Sequence, residues 1–111
     1  MELQWVNKLN TLVKGVGKFS KLNQPVAQAV HQLDVATRTN KILDDKTHEL
    51  IALAVAVTTR CDGCLSAHVS AAKKAGATKE EIAEALGTAI ALNAGAAFVY
   101  STRALDAFEE F

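Results

Sequence analysis

Residues 44–81 read DDKTHELIALAVAVTTRCDGCLSAHVSAAKKAGATKEE, and the folding of this stretch decides the architecture of the chain. Its middle, Leu50 to Val57, is apolar at every position. A helix without a polar face is expected to be buried all round. Asp44 and Asp45 precede it as N-cap candidates and predict a helix from about Lys46 to Thr59. Cys61 then opens a further helix that ends at Gly76, a residue suited to the left-handed position after a helix. Lys73 and Lys74 in its last turn suit the negative end of the helix dipole. Thr78 and Glu81 have the spacing of a capping box, so another helix starts there and carries Ile82, Leu86 and Ile90.

The flanks read the same way. From about Glu2 to Lys18, Trp5, Leu9, Leu12, Val16 and Phe19 form one apolar stripe at helical spacing. Pro25 fits a first helical position and predicts a helix to about Thr37, with Val26, Val30 and Leu33 inward. Thr39 to Lys41 reads as a loop. Gly95 is expected to break or bend the C-terminal run, leaving a last helix from about Ala96 to Phe108 with Val99, Leu105 and Phe108. Nothing alternates with period two. The expectation is an all-α chain of about six helices in a single domain spanning 1–111.

Charge and composition exclude some functions. Lys and Arg number 12, Asp and Glu 12, so the net charge is zero and the basic surplus of a general nucleic-acid binder is missing. Residues 1–10 contain no continuous apolar segment of the secretory kind. The stretch Leu50 to Val57 is too short to span a bilayer. These features set a soluble cytoplasmic protein as the expectation, with no nucleic-acid or membrane partner. In a reducing compartment two cysteines spaced Cys-x-x-Cys point to redox catalysis or metal rather than a passive staple.

The chemistry concentrates in Cys61, Cys64 and His68. Cysteines three apart share a helix face, and His68 lies four beyond Cys64 on that face. The reactive form of cysteine is the thiolate. Cys64 would lie in the first helical turn, where unpaired N–H groups and the dipole favour negative charge. His68 can take its proton. Cys61 stands ready to close a disulfide, and Gly63 leaves room for a substrate beside the sulfurs. Glu49 can join the site if the two helices form an antiparallel hairpin turning near Arg60. It lies eleven residues before that turn and His68 eight after it. The axial mismatch is then about 4–5 Å, at about 1.5 Å per residue. A plausible relay runs from Glu49 through His68 to Cys64. A thioredoxin arrangement is excluded, because its motif follows a strand.

These residues form a pattern. Glu49, an apolar helix, Cys61-x-x-Cys64, His68, Ala71-Ala72 and Gly76 before Thr78 together resemble the alkylhydroperoxidase D-like, or carboxymuconolactone decarboxylase, superfamily. The match covers about Leu43 to Val99, and its spacing fits the peroxidase branch. The resemblance implies an all-helical fold, homo-oligomers that are often trimers or hexamers, and a cysteine pair that cycles between dithiol and disulfide while reducing peroxides. It implies that Cys64 attacks, Cys61 resolves, and Glu49 and His68 relay a proton, with a small peroxide as substrate and an external dithiol as reductant. No cofactor is implied. The best-studied branch carries a histidine before the second cysteine, where this chain has Gly63. The decarboxylase branch is not defined by a cysteine pair, and no arginine cluster for a dicarboxylate stands out among Arg38, Arg60 and Arg103.

Competing readings stay open on the same residues. Cys61, Cys64 and His68 could supply three zinc ligands, with His48, Glu49 or a neighbouring subunit as the fourth. The chain could also be a carboxymuconolactone decarboxylase-like enzyme, or a non-catalytic oligomeric scaffold. His31 and His48 read as surface polarity, Trp5 and the Phe residues as core or interface anchors, and Tyr100 as a packed residue.

Overall fold

Local chemistry sets most of the boundaries. The Asp44 carboxylate accepts the Thr47 amide at 2.8 Å and starts α3, Asp45–Thr59. The side chain of Cys61 caps α4, Asp62–Lys74. Thr78 and Glu81 form the expected capping box, at 3.1 and 2.9 Å, and start α5, Lys79–Glu110. Asn23 caps α2, Gln24–Ala36, with Pro25 in its first turn. It also ends α1, Gln4–Leu22. The structure, a computed structural model, describes residues 3–111; the expected start of α1 at Glu2 lies outside them. Among the described residues there is no strand.

Among the described residues five helices stand where about six were expected. Gly95 does not interrupt α5, which runs unbroken for 32 residues. A single glycine costs a helix about 1 kcal/mol relative to alanine. Here Ala91, Leu92, Ala94, Ala96 and Ala97 surround it, no proline follows, and the Asn93 side chain is engaged with Ala89 and Thr58.

The packing is built around α3. It lies against α4 on one side and the first half of α5 on another. Leu53, Ala56, Ala72 and Ala89 form the buried centre. Lys46 pairs with Glu81 at 2.8 Å, and Asn93 donates to Thr58 at 3.0 Å, fastening α5 to α3. The α1–α2 hairpin attaches to this unit through α1 on α4.

Several apolar residues expected inside are not. In the single chain α3 is not buried all round: Ile51 and Val55 are exposed. So are Val26, Val30 and Leu33, because α2 packs on α1 alone. Val99, Tyr100, Leu105 and Phe108 are also exposed, since the second half of α5 reaches beyond α3, and Ile90, beside the buried Ala89, is exposed as well. Tyr100 is not packed; Arg103 lies over its ring at 4.9 Å. By length and composition α5 could cross a membrane, although Leu50 to Val57 is the longer uninterrupted apolar run. Helices that pack against other chains share both properties.

Candidate active site

The corner between α3 and α4 places the sulfurs. Arg60 adopts the left-handed conformation (φ 56°, ψ 48°), and the Cys61 amide donates to the Ala56 carbonyl at 3.1 Å. The chain therefore passes from one helix to the next without a loop. Cys61 lands at the N-cap and Cys64 at the third helical position. The two are joined by a disulfide. The Cys64 amide donates to the Cys61 sulfur at 3.2 Å. Both sulfurs thus lie at the positive end of the α4 dipole, where a thiolate is favoured.

Glu49 and His68 meet directly. His68 Nδ1 is 2.7 Å from Glu49 Oε2, so the expected axial gap closes without a bridging group. Glu49 is only 5% exposed. Its other oxygen accepts from Arg38, whose second guanidinium nitrogen reaches Asp45 at 3.3 Å. The hydrogen bond that Arg38 donates to Glu49 is the main cause that raises the Arg38 pKa above its already high ordinary value. The guanidinium is a permanent charge at this site. The expected Glu49–His68 contact is therefore present. No hydrogen bond joins His68 to either sulfur among the described residues.

Gly63 does not leave open room. A Cβ there would stand 3.2 Å from Leu12 Cδ1, because α1 lies across the first turn of α4. Lys8 of α1 also pairs with Asp62 at 2.7 Å. A pocket of about 510 Å³ lies beside Asp62 and Gly63, and a groove of about 1,320 Å³ runs between α1 and α2. Leu12, Val16, Phe19 and Val30 give it apolar walls, and His68 lies on its lining. His31 and Asp34 line it too. His48 is half-buried near the start of α3 and takes part in none of the hydrogen bonds that link these groups.

The zinc reading finds no geometric support, since no three His, Cys, Asp or Glu side chains among the described residues gather as a ligand set. Arg38 is the site residue that sequence reasoning passed over. It enters from the end of α2, outside the helix pair whose register ties Glu49 to the cysteines. Only its closeness in sequence to Asp45 hinted at the pairing.

A disulfide at the head of one helix, with a buried carboxylate paired to a half-buried imidazole one turn beyond the second cysteine, defines an all-helical protein of the Cys-x-x-Cys type. Residues 24–107 match the model of the carboxymuconolactone decarboxylase family, and the chain belongs to that family. It is 51% identical over 108 residues to an uncharacterized protein of Haemophilus influenzae, covering 97% of this chain and 96% of that one. It is 36% identical over 95 residues to uncharacterized protein 4 in the cox locus of Paracoccus denitrificans, covering 86% of each. Among solved structures it is similar to the apo form of a carboxymuconolactone decarboxylase family protein from Legionella pneumophila. That match has a TM-score of 0.78 and 34% identity, and covers 99% of this chain and 98% of the other.

Proposed function

We propose that the protein is a thiol-dependent hydroperoxide reductase that cycles Cys61 and Cys64 between dithiol and disulfide. The observation that carries this reading is the bonded sulfur pair at the start of α4, with the His68–Glu49 pair on the same flank. In the reduced protein Cys64, in the first helical turn, is the attacking thiolate. It displaces alkoxide from the peroxide and becomes a sulfenic acid, and the alkoxide leaves as the alcohol after protonation. Cys61 then attacks the sulfenic sulfur, releases water and closes the disulfide. An external dithiol restores both thiols. His68 takes the Cys64 proton and returns it to the leaving oxygen, while Glu49 fixes the imidazole with Nδ1 toward the carboxylate.

The apolar groove walls favour a peroxide carrying a hydrocarbon group. A reducing compartment such as the cytoplasm supplies the dithiol. The protein works as a homo-oligomer, a trimer or hexamer, in keeping with its exposed apolar faces. In the reduced protein, added hydroperoxide is expected to remove two free thiols per chain. Cys64→Ser should abolish consumption, and Cys61→Ser should stall at a sulfenic acid that dimedone traps. Thiols that persist in the wild type, or turnover by Cys64→Ser, would end this reading.

A further inference from the structure

We infer that Arg38 is a positioning residue of the site: its fixed positive charge on Glu49 leaves His68 free to accept the thiol proton. The role in catalysis rests on the function proposed above. The geometry behind it does not. Glu49 is buried and has one partner for each oxygen, Arg38 for Oε1 and His68 for Oε2. A buried carboxylate requires a counter-charge. Without Arg38 the nearest available cation would be the imidazolium of His68. An imidazole that must stay protonated to balance Glu49 cannot act as a base toward Cys64. Arg38 is charged at every working pH and removes that demand.

The guanidinium is well suited to this task. Its planar fork spans Glu49 and Asp45, which lie one turn apart on α3, so it is anchored at two points. Its own backbone belongs to the turn after α2, in residues 37–40. The remaining charged or titratable groups around His68 are few. Lys21 of α1 and His31 and Asp34 of α2 line the same groove, the sulfurs lie further up α4, and the Lys8–Asp62 pair sits at its first turn. The guanidinium is the cation that touches the carboxylate shared with His68.

Removing one positive charge from this cluster makes proton loss harder for every group that remains in it. The sign of the test is therefore fixed. In the reduced protein, the pH profile of Cys64 alkylation by iodoacetamide is expected to move to higher pH in Arg38→Ala. The move should be about one pH unit, seen as about a tenfold slower reaction near neutrality. Arg38→Gln keeps a polar stem without the charge and should show the same displacement. Arg38→Lys should restore most of the wild-type profile, and added guanidinium ion should restore part of it in Arg38→Ala. Nitrogen NMR of His68 should show the imidazole holding its second proton to higher pH in Arg38→Gln.

A residue that only braces the fold would lower the melting temperature and leave these profiles in place. If folded Arg38→Gln superimposes on the wild type in both measurements, the inference is overturned. If the profiles move as stated but the wild type consumes no hydroperoxide, the peroxidase reading fails and the role of Arg38 stands. If the wild type consumes hydroperoxide and the profiles do not move, Arg38 alone is removed from the account.

Discussion

Glu49 gives both carboxylate oxygens to neighbours from two different elements, and this was half legible in the sequence. The His68 contact follows from helix register, because Asp44 and Cys61 fix where two sequential helices begin. The Arg38 contact needed knowledge of how the turn after α2 folds back on α3, which no period encodes. Gly63 teaches the reverse lesson. Its lack of a side chain suggested open space, but the space belongs to Leu12. Gly63→His is therefore expected to overpack the α1–α4 contact at a cost of about 1–3 kcal/mol. Leu12→Ala in the same chain should recover part of that loss. Urea denaturation of the two single variants and the double variant measures the coupling, expected at about 1 kcal/mol. Strictly additive losses would mean that Leu12 does not occupy the space.

The elements were the most legible level, since caps are local chemistry. Asp44, Asn23 and the Thr78–Glu81 box all mark helix starts as their residue types predict. The second half of α5 was misjudged because one glycine was weighted above its alanine neighbours. Thr78→Ala should cost about 1 kcal/mol in thermal or urea unfolding by removing the side-chain half of the box. The same helix start gives a pH dependence. The hydrogen bond from Lys46, and then that from the Thr78 amide, hold the Glu81 carboxyl below its ordinary range. Thr47 does the same for Asp44 through its side chain and its amide. A group lowered on folding contributes stability above its unfolded value, which fades as pH falls through the folded one. Unfolding at pH 3 should therefore be easier than at pH 6, and Glu81→Gln should reduce that difference. An unchanged pH dependence in Glu81→Gln would show that Glu81 plays no part in it.

For the whole molecule, area is the telling quantity. The single chain exposes 9,039 Å². A folded monomer of this mass exposes about 5,900 Å². Its radius of gyration is 17.9 Å, against about 13 Å for a compact chain of this length. Sequence patterning located the apolar faces, but not whether they meet residues of the same chain. Phe98, Leu105 and Phe108 lie on the half of α5 that has no neighbour in the chain. Phe98→Glu combined with Leu105→Glu is expected to convert the proposed homo-oligomer to monomers in sedimentation experiments and to lower its melting temperature. A wild type that sediments as a monomer would end the oligomer reading, and a variant that keeps an oligomeric mass would place the contact on another face.

The free second half of α5 also bears on how the protein behaves on dilution. If the proposed homo-oligomer covers that half, the chain has no fixed folding free energy of its own. Mass action then sets how much of it is folded. Abundance in the cell becomes a structural variable, and a sample assayed at trace concentration is a different physical object from the same sample in a crystallisation drop.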